Sequence, residues 1–344
     1  MEDIRLASLW KQALLDDGWS EQTASCAPHA LAHSSHQSYD RYIKDLRAFC
    51  VSNGICFPPL KACHIAEFLL HVARKSDRPK SSLNGTMSAL SSLYNIYDLP
   101  NPCNFHVHAL YTALIKTHTK LPRARTNVMP TAPFHKLFES WKDNEELSVK
   151  MLRLKCITLI AFAFMLRPSD VAPKGVQYDS ESDTFKPFLF LRSQISFPDD
   201  GGLRITFFAI KNDSSRDGFE VSVPRCDNAK LDPALALNVY LQKTQHLVTD
   251  VHAPAFISLK KPHQGISASA VGSVLSEAIS LAGLSPSMYT PKCFRPSGAT
   301  KAVNSGMDPD KVRRLGRWKT SSVFYEHYVY DKTSDKYTNM MFDV

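Results

Sequence analysis

Four separated stretches of the chain carry residues able to hold an anion or to attack one. The first is Met165-Leu-Arg167-Pro-Ser-Asp170. An arginine leaves an apolar run immediately before a proline, which cannot continue a helix easily, so Arg167 is placed at a helix end or turn. Asp170 can fix its guanidinium, and the same pair also reads as a structural Arg–Asp junction between helices. The second is Lys211, which follows the apolar run Ile205 to Ile210 and opens a polar turn. A lysine in that position is commonly just solvated. The third is Lys292-Cys-Phe-Arg295-Pro-Ser-Gly-Ala-Thr300. Lys292 and Arg295 are three apart, so on a helical turn they share a side. Two cations there repel unless an anion lies between them, which predicts an anion site. The fourth is Arg313-Arg-Leu-Gly-Arg-Trp318, continuing through Tyr325-Glu-His-Tyr328 to Tyr330. Aromatic residues this dense beside cations are unusual for a plain surface, although core packing also accounts for Trp318 and most of the tyrosines.

These stretches need elements to bring them together. Residues 1–30 read as one short helix around Leu6 to Leu15 and a Ser/His-rich tether. Apolar residues then recur at helical spacing: Tyr39, Tyr42, Ile43, Leu46 and Phe49; Ile65, Phe68, Leu69 and Val72; Leu83, Met87, Leu90, Leu93, Tyr94 and Tyr97; Phe105, Leu110, Leu114 and Ile115. Prolines at 58, 59, 79, 100 and 102 separate the pieces, and residues 31–120 are predicted to be an all-helical domain. A basic, proline-bearing stretch over residues 116–133 predicts a linker, assigned to 121–133, able to meet phosphates or simply solvated. Beyond it, helices over Phe134 to Trp141 and Leu147 to Met165 give way to period-two patterns in Phe188 to Phe197, Leu203 to Ile210 and Gly218 to Pro224. That change predicts a small antiparallel sheet with Lys211 in a hairpin turn. Helices resume over Pro233 to Gln245, Ser267 to Ala282, Ser297 to Ser305, Asp308 to Gly316 and Ser321 to Tyr330. The fold class is therefore mainly α with a small antiparallel β-sheet: a helical domain, then an α+β domain over 134–330. Residues 331–344 form a tail whose apolar end, Met340-Met-Phe342, suits docking to a partner or a frayed terminus.

With 344 residues the chain suits two domains, and a composition 44% hydrophobic and 22% charged is globular rather than disordered. The net charge of +8 favours a polyanionic partner. Among the 8 cysteines no CxxC pair occurs and most lie in apolar runs, so buried free thiols in a reducing compartment are expected. Cys56, Cys63, His64 and His71 match no standard zinc spacing, and no metal is expected. Met1 to Ser25 does not read as a signal peptide, and the longest apolar run, Cys156 to Leu166, is too short for a bilayer. An intracellular protein that meets no membrane is expected.

Taken in order, Arg167-x-x-Asp170, a hairpin Lys211, Lys292-x-x-Arg295, Leu315-Gly-x-Trp318 and a late tyrosine resemble the catalytic domain of tyrosine recombinases (integrases). The segment Phe294 to Thr300 is similar to the helix start after that family's second arginine. The resemblance covers roughly Pro133 to Tyr330, and the preceding helical domain resembles the family's core-binding domain, the other half of a clamp around DNA. The Gly-Arg-Trp-Lys wording is most similar to eukaryotic mobile-element recombinases of the Crypton and DIRS kind.

The resemblance implies a site-specific recombinase that cuts and rejoins double-stranded DNA through a 3′-phosphotyrosyl link, with no cofactor or metal. It implies a dimer to tetramer on DNA, and a nuclear location if the host is eukaryotic. Arg167 and Arg295 would clamp the non-bridging phosphate oxygens. Trp318 would donate its indole N–H to the phosphate or buttress the site. Lys211 would protonate the departing 5′ oxygen, and Lys292, where the family usually has His, would assist charge stabilisation or proton transfer. The nucleophile is Tyr328 or Tyr325, with Tyr328 preferred for its distance from Trp318. Lys292 and Arg317-Trp318 depart from the commoner family wording. A non-catalytic DNA-binding descendant and a type IB topoisomerase are the alternative readings.

Overall fold

The computed structural model describes residues 5–118, 128–172, 176–179, 184–208, 217–248, 250 and 253–329. The chain divides into two compact units, Met1–Arg123 and Ala124–Val344.

The first unit is helical: α1 (Leu6–Asp16), α2 (Glu21–Cys26), α3 (His33–Ser52), α4 (Ala62–Lys75), α5 (Pro79–Ile96) and α6 (Phe105–His118). Its core is built from the residues whose spacing predicts it, including Ile43 and Leu46 of α3, Ile65, Phe68 and Leu69 of α4, Leu90, Leu93 and Tyr94 of α5, and Leu114 of α6. Pro79 opens α5, where its missing N–H costs nothing. The expected tether before residue 31 is replaced by structure. Ser20 caps α2 by accepting from the Thr23 N–H at 3.3 Å, and a 3-10 turn, Ala27–Ala30, follows. Leu6 is fully buried, and its N–H donates to Asp40 Oδ1 at 2.6 Å. A cap and a few small buried residues hold this segment, and neither leaves a strong amphipathic period.

The second unit contains α7 (Ala132–Glu139), α8 (Val149–Ala163), β1 (Val176–Asp179), β2 (Thr184–Pro187), β3 (Ile195–Ser196), β4 (Leu203–Phe207), β5 (Phe219–Val223), α9 (Pro233–Lys243), α10 (Ala268–Leu281), α11 (Phe294–Asn304), α12 (Pro309–Leu315) and α13 (Ser321–Tyr328). Helix α8 is central. Leu152, Leu154, Cys156, Ile157, Ile160 and Ala161 are buried around its circumference, and α9, α10 and α11 pack on it. The described part of the predicted linker belongs to this unit, since Met129 is buried and its N–H donates to Ser297 Oγ of α11 at 2.7 Å.

Strands β3, β4 and β5 form an antiparallel sheet, paired Ile195↔Ile205, Ile205↔Val221 and Phe207↔Phe219. Leu203, Ile205 and Phe207 turn to the core while Arg204 faces solvent. Two differences from the sequence pattern stand out. Strands β1 and β2 form an unexpected second antiparallel pair. The predicted strand over Phe188 to Phe197 shrinks to Ile195–Ser196. Arg192 sits in a 3-10 turn and donates to Leu241 O, Thr244 Oγ1 and Pro254 O, and the Ala255 N–H donates to Phe190 O, so this segment bonds elsewhere.

All eight cysteines are free, and burial holds only for Cys50, Cys156 and Cys293; Cys26, Cys56 and Cys63 are exposed. No helix among the described residues is long and apolar enough to cross a membrane.

Candidate active site

The site begins where α8 stops. The chain reverses at Met165, which takes φ +50°, with the Leu166 N–H donating to Ala161 O at 3.0 Å. This left-handed turn is the helix stop that glycine usually occupies. Pro168 then opens a 3-10 turn, Pro168–Val171, with Arg167 as its cap residue. Asp170 reaches back to accept the Arg167 backbone N–H at 2.8 Å. Its carboxylate also lies 3.8 Å from Arg317 Nη2. The aspartate expected to fix the Arg167 guanidinium thus fixes the Arg167 main chain and meets a second arginine.

Helix α11 supplies Arg295, which is 2% exposed. Its Nη1 donates to Met165 O at 2.6 Å and its Nη2 to Gly316 O. These bonds tie together the two turns that end α8 and α12. Close approach of α11 to α8 requires Gly298, because a Cβ there would stand 2.6 Å from Phe162 O. Helix α12 ends in a second left-handed turn at Arg317, φ +60°, with the Trp318 N–H donating to Arg313 O at 3.1 Å. Gly316 leaves room for the indole, since a Cβ on it would fall 1.7 Å from the Trp318 ring. The Arg295 guanidinium lies over the Trp318 ring at 4.1 Å and over the Tyr328 ring at 5.4 Å. Tyr328, half-buried near the end of α13, packs 4.7 Å from Trp318, and its carbonyl accepts from Thr300 Oγ1 at 3.2 Å. Fully buried Phe324 anchors α13 against Trp318 at 4.9 Å.

Charge accumulates in this pocket. Burial and then the charges of Arg167 and Arg317 push Arg295 down to about 9. Burial lowers Arg317 to about 10, with Asp170 opposing the shift and Arg167 adding to it. Both remain cations at neutral pH. Burial alone raises the Tyr328 phenol, but the Arg167 and Arg295 charges and the donors of Arg167 and Trp318 outweigh it, leaving the pKa below the usual tyrosine value. The Trp318 Nε1–H acts as a nearby dipole outside hydrogen-bond geometry: it and Arg295 Nε are buried donors with no hydrogen-bond partner among the described residues. Buried donors are normally satisfied. Unsatisfied donors on Arg295 and Trp318, guanidiniums held together and a softened phenol make a site for an oxyanion that a phenolate can attack.

Against known structures, the chain superposes on the Tn1549 transposon integrase in complex with transposon right end DNA with a TM-score of 0.56 at 14% identity, covering 99% of each chain. With the same integrase in complex with a circular intermediate DNA the TM-score is 0.53 at 13% identity, over 99% of this chain and 100% of that one. The chain has the tyrosine recombinase fold. No protein-family model and no curated protein sequence matches it.

Within that recombinase fold, Arg295, Trp318 and Tyr328 are in mutual contact, and Arg167 acts on the Tyr328 phenol. Lys211 and Tyr330 lie outside the described residues. Lys292 does not share the burial of Arg295. It stands exposed on the 3-10 turn Pro291–Cys293 that precedes α11 and takes no part in the described contacts of the cluster. The 3-10 turn runs directly into α11, which begins at Phe294 and carries Arg295 inward. Tyr325 is 51% exposed and stacks only on Phe324 among the described ring contacts, so the geometry sets it apart from the cations. The sequence reading missed Arg317 as a site residue. The available signal was its place directly after Gly316 at the end of a helix, where a buried side chain points back toward α8.

Proposed function

We propose that this chain is a site-specific DNA recombinase or integrase that cuts and rejoins strands through a tyrosine–phosphate link. The observation that carries the reading is the Tyr328 phenol, its pKa lowered, set against Arg167 and Arg295 beside unsatisfied buried donors. That is the arrangement a phenoxide attack on a phosphodiester requires: donors aimed where charge gathers on the non-bridging oxygens, and a nucleophile already tilted toward its anion.

In this reading Tyr328 Oη attacks phosphorus and displaces the 5′ oxygen, leaving a 3′-phosphotyrosyl ester. Lys211, in the segment between β4 and β5, gives the leaving oxygen its proton. Attack by a 5′ hydroxyl on the same phosphorus reverses the step, so the link conserves the bond and rejoining consumes no nucleotide. Guanidiniums take the electrostatic part that metal cations play in many phosphoryl transfers. Trp318 donates to the phosphate through its buried Nε1–H. Lys292, exposed one turn before Arg295, meets the DNA backbone. Residues 31–120, within the helical first unit, act as the core-binding domain, and residues 134–330 as the catalytic domain.

The DNA named in the neighbouring integrase structures supports double-stranded DNA as the partner. Exchange between two duplexes cuts four strands, and a chain with one nucleophile must therefore assemble from a dimer to a tetramer. The Gly316-Arg-Trp-Lys319 wording favours a mobile-element enzyme of the Crypton or DIRS kind, acting in a nucleus.

The test is a nicked DNA site that traps the cleaved strand. Wild-type protein is expected to become covalently attached to it. Tight DNA binding with no adduct on any cognate site would point to a non-catalytic DNA-binding protein, and relaxation of supercoiled plasmid without site preference to a topoisomerase.

A further inference from the structure

The first unit contains a cleft of about 480 Å³ that strand cleavage does not use. Sites for small molecules commonly measure about 300–1,000 Å³. Helices α3 and α4 both pack on α5 and meet each other through Phe49, whose ring lies 5.4 Å from Phe68 and 5.6 Å from His71. The cleft between them is lined by Arg41, Tyr42, Asp45 and Phe49 of α3 and by His71 and Lys75 of α4. Its floor is fixed. Tyr42 is 8% exposed and rests on α5 at Gly85, where a Cβ would stand 2.4 Å from the ring. The Arg41 guanidinium lies over the same ring at 4.7 Å.

Spacing puts these groups in order. Arg41, Asp45 and Phe49 are four apart on α3, so they form a row about 12 Å long on one face of the helix. The row runs from a cation through a carboxylate to an aromatic ring. On α4, His71 sets a second ring beside Phe49, and Lys75 adds a second cation one turn away. Although they line one cleft, Arg41, Lys75 and Asp45 form no ion pair among the described residues. A phosphate joined through a hydroxylated sugar to a planar base presents complementary groups in the same order. We infer that the cleft binds a free 5′-ribonucleotide, with its phosphate on Arg41 and Lys75, its ribose hydroxyls donating to Asp45 and its base against Phe49 and His71. An inorganic anion meets only the cations, and DNA lacks the 2′ hydroxyl that faces Asp45. The base is held by its faces, so adenine and guanine serve alike. Every residue of the site belongs to the first unit and none to the Tyr328 cluster, so the nucleotide acts as an effector and not as the cleaved substrate.

Calorimetric titration of the full chain with adenosine 5′-monophosphate tests the site, with guanosine 5′-monophosphate, 2′-deoxyadenosine 5′-monophosphate and inorganic phosphate as companions. The adenine ribonucleotide is expected to bind saturably, one per chain, with the guanine ribonucleotide within a few-fold of it. The deoxynucleotide should bind roughly 10-fold more weakly, because one hydrogen bond to a charged acceptor is lost. Asp45 and Lys75 are both exposed, so their variants leave the core intact. Lys75→Ala should weaken the ribonucleotide roughly 10-fold. Asp45→Ala should bring the ribonucleotide down to the level of the deoxynucleotide and abolish the preference between them.

Four results overturn the inference: no saturable binding of the ribonucleotide, inorganic phosphate binding as tightly, affinity unchanged in Lys75→Ala, or a ribose preference that survives Asp45→Ala. A 5′-phosphorylated single-stranded DNA presents the same phosphate and base without the 2′ hydroxyl. If it competes as strongly as the ribonucleotide, the cleft belongs to a DNA strand end, and the free nucleotide is ruled out as its ligand.

Discussion

Replacing Gly316 with alanine tests how the site is packed. Its φ of −81° is open to any residue, so the backbone carries no penalty. The added methyl carbon would stand 1.7 Å from the Trp318 ring, far inside contact distance, and the ring is 4% exposed with Arg295, Phe324 and Tyr328 around it. The indole must therefore move. Overpacking of this kind costs about 1–3 kcal/mol. For a unit of this size each kcal/mol shifts Tm by roughly 2–4 °C, so a fall of about 2–12 °C is expected. The second variant, Trp318→Ala, removes the ring and loses about 3–5 kcal/mol through its cavity. With the ring gone, adding Gly316→Ala should cost nothing and can gain about 0.4–1 kcal/mol from the stiffer unfolded chain. A double-mutant cycle by urea unfolding should thus show a coupling of roughly 1.5–4 kcal/mol, with the double variant more stable than the sum of the singles. An unchanged unfolding midpoint for Gly316→Ala, or strict additivity, refutes the packing of Trp318 described above.

Arg295→Lys loses the fork that spans Met165 O and Gly316 O and should lower adduct formation by roughly 10²–10³-fold, measured by single-turnover cleavage. Ultraviolet titration of the phenols should find a tyrosine ionising below the usual value and missing from Tyr328→Phe, while buried Tyr240 is raised to about 12. Because the folded-state pKa of Tyr328 is depressed, its contribution to stability is complete above the unfolded value near 10 and is lost as pH falls through the folded value. Unfolding of wild type and Tyr328→Phe between neutral and alkaline pH should diverge in that direction. Gly298→Ala should separate α11 from α8 and lower both Tm and cleavage, because the atom it meets is the Phe162 backbone oxygen rather than a side chain that can turn aside.

The helices were legible because their apolar residues recur at helical spacing over many turns, as in Ile65, Phe68, Leu69 and Val72 of α4. The strand pattern was legible in β4 and β5, which alternate with a buried face, and misleading over Phe188 to Phe197, where Arg192 and the Ala255 N–H set the chain by long-range bonds. Type and order alone single out Arg295, Trp318 and Tyr328, which the structure brings into contact. Lys292 is exposed where Arg295 is buried, a difference that spacing alone does not encode. Arg317 escaped because its burial depends on the left-handed turn after Gly316, which a pattern of residue types does not encode. The position of Asp170 beside the Arg167 main chain and Arg317 is likewise tertiary, since Arg295 of α11 joins the turns that end α8 and α12.

The central claim is that Tyr328 attacks a DNA phosphate from within the arginine cluster. It is tested most directly by trapping the protein on a nicked DNA site, digesting the adduct and mapping the linked residue by mass spectrometry. The account predicts phosphodeoxynucleotide on Tyr328, no adduct from Tyr328→Phe and an adduct retained by Tyr325→Phe. A link to Tyr325, or an undiminished adduct from Tyr328→Phe, would contradict it.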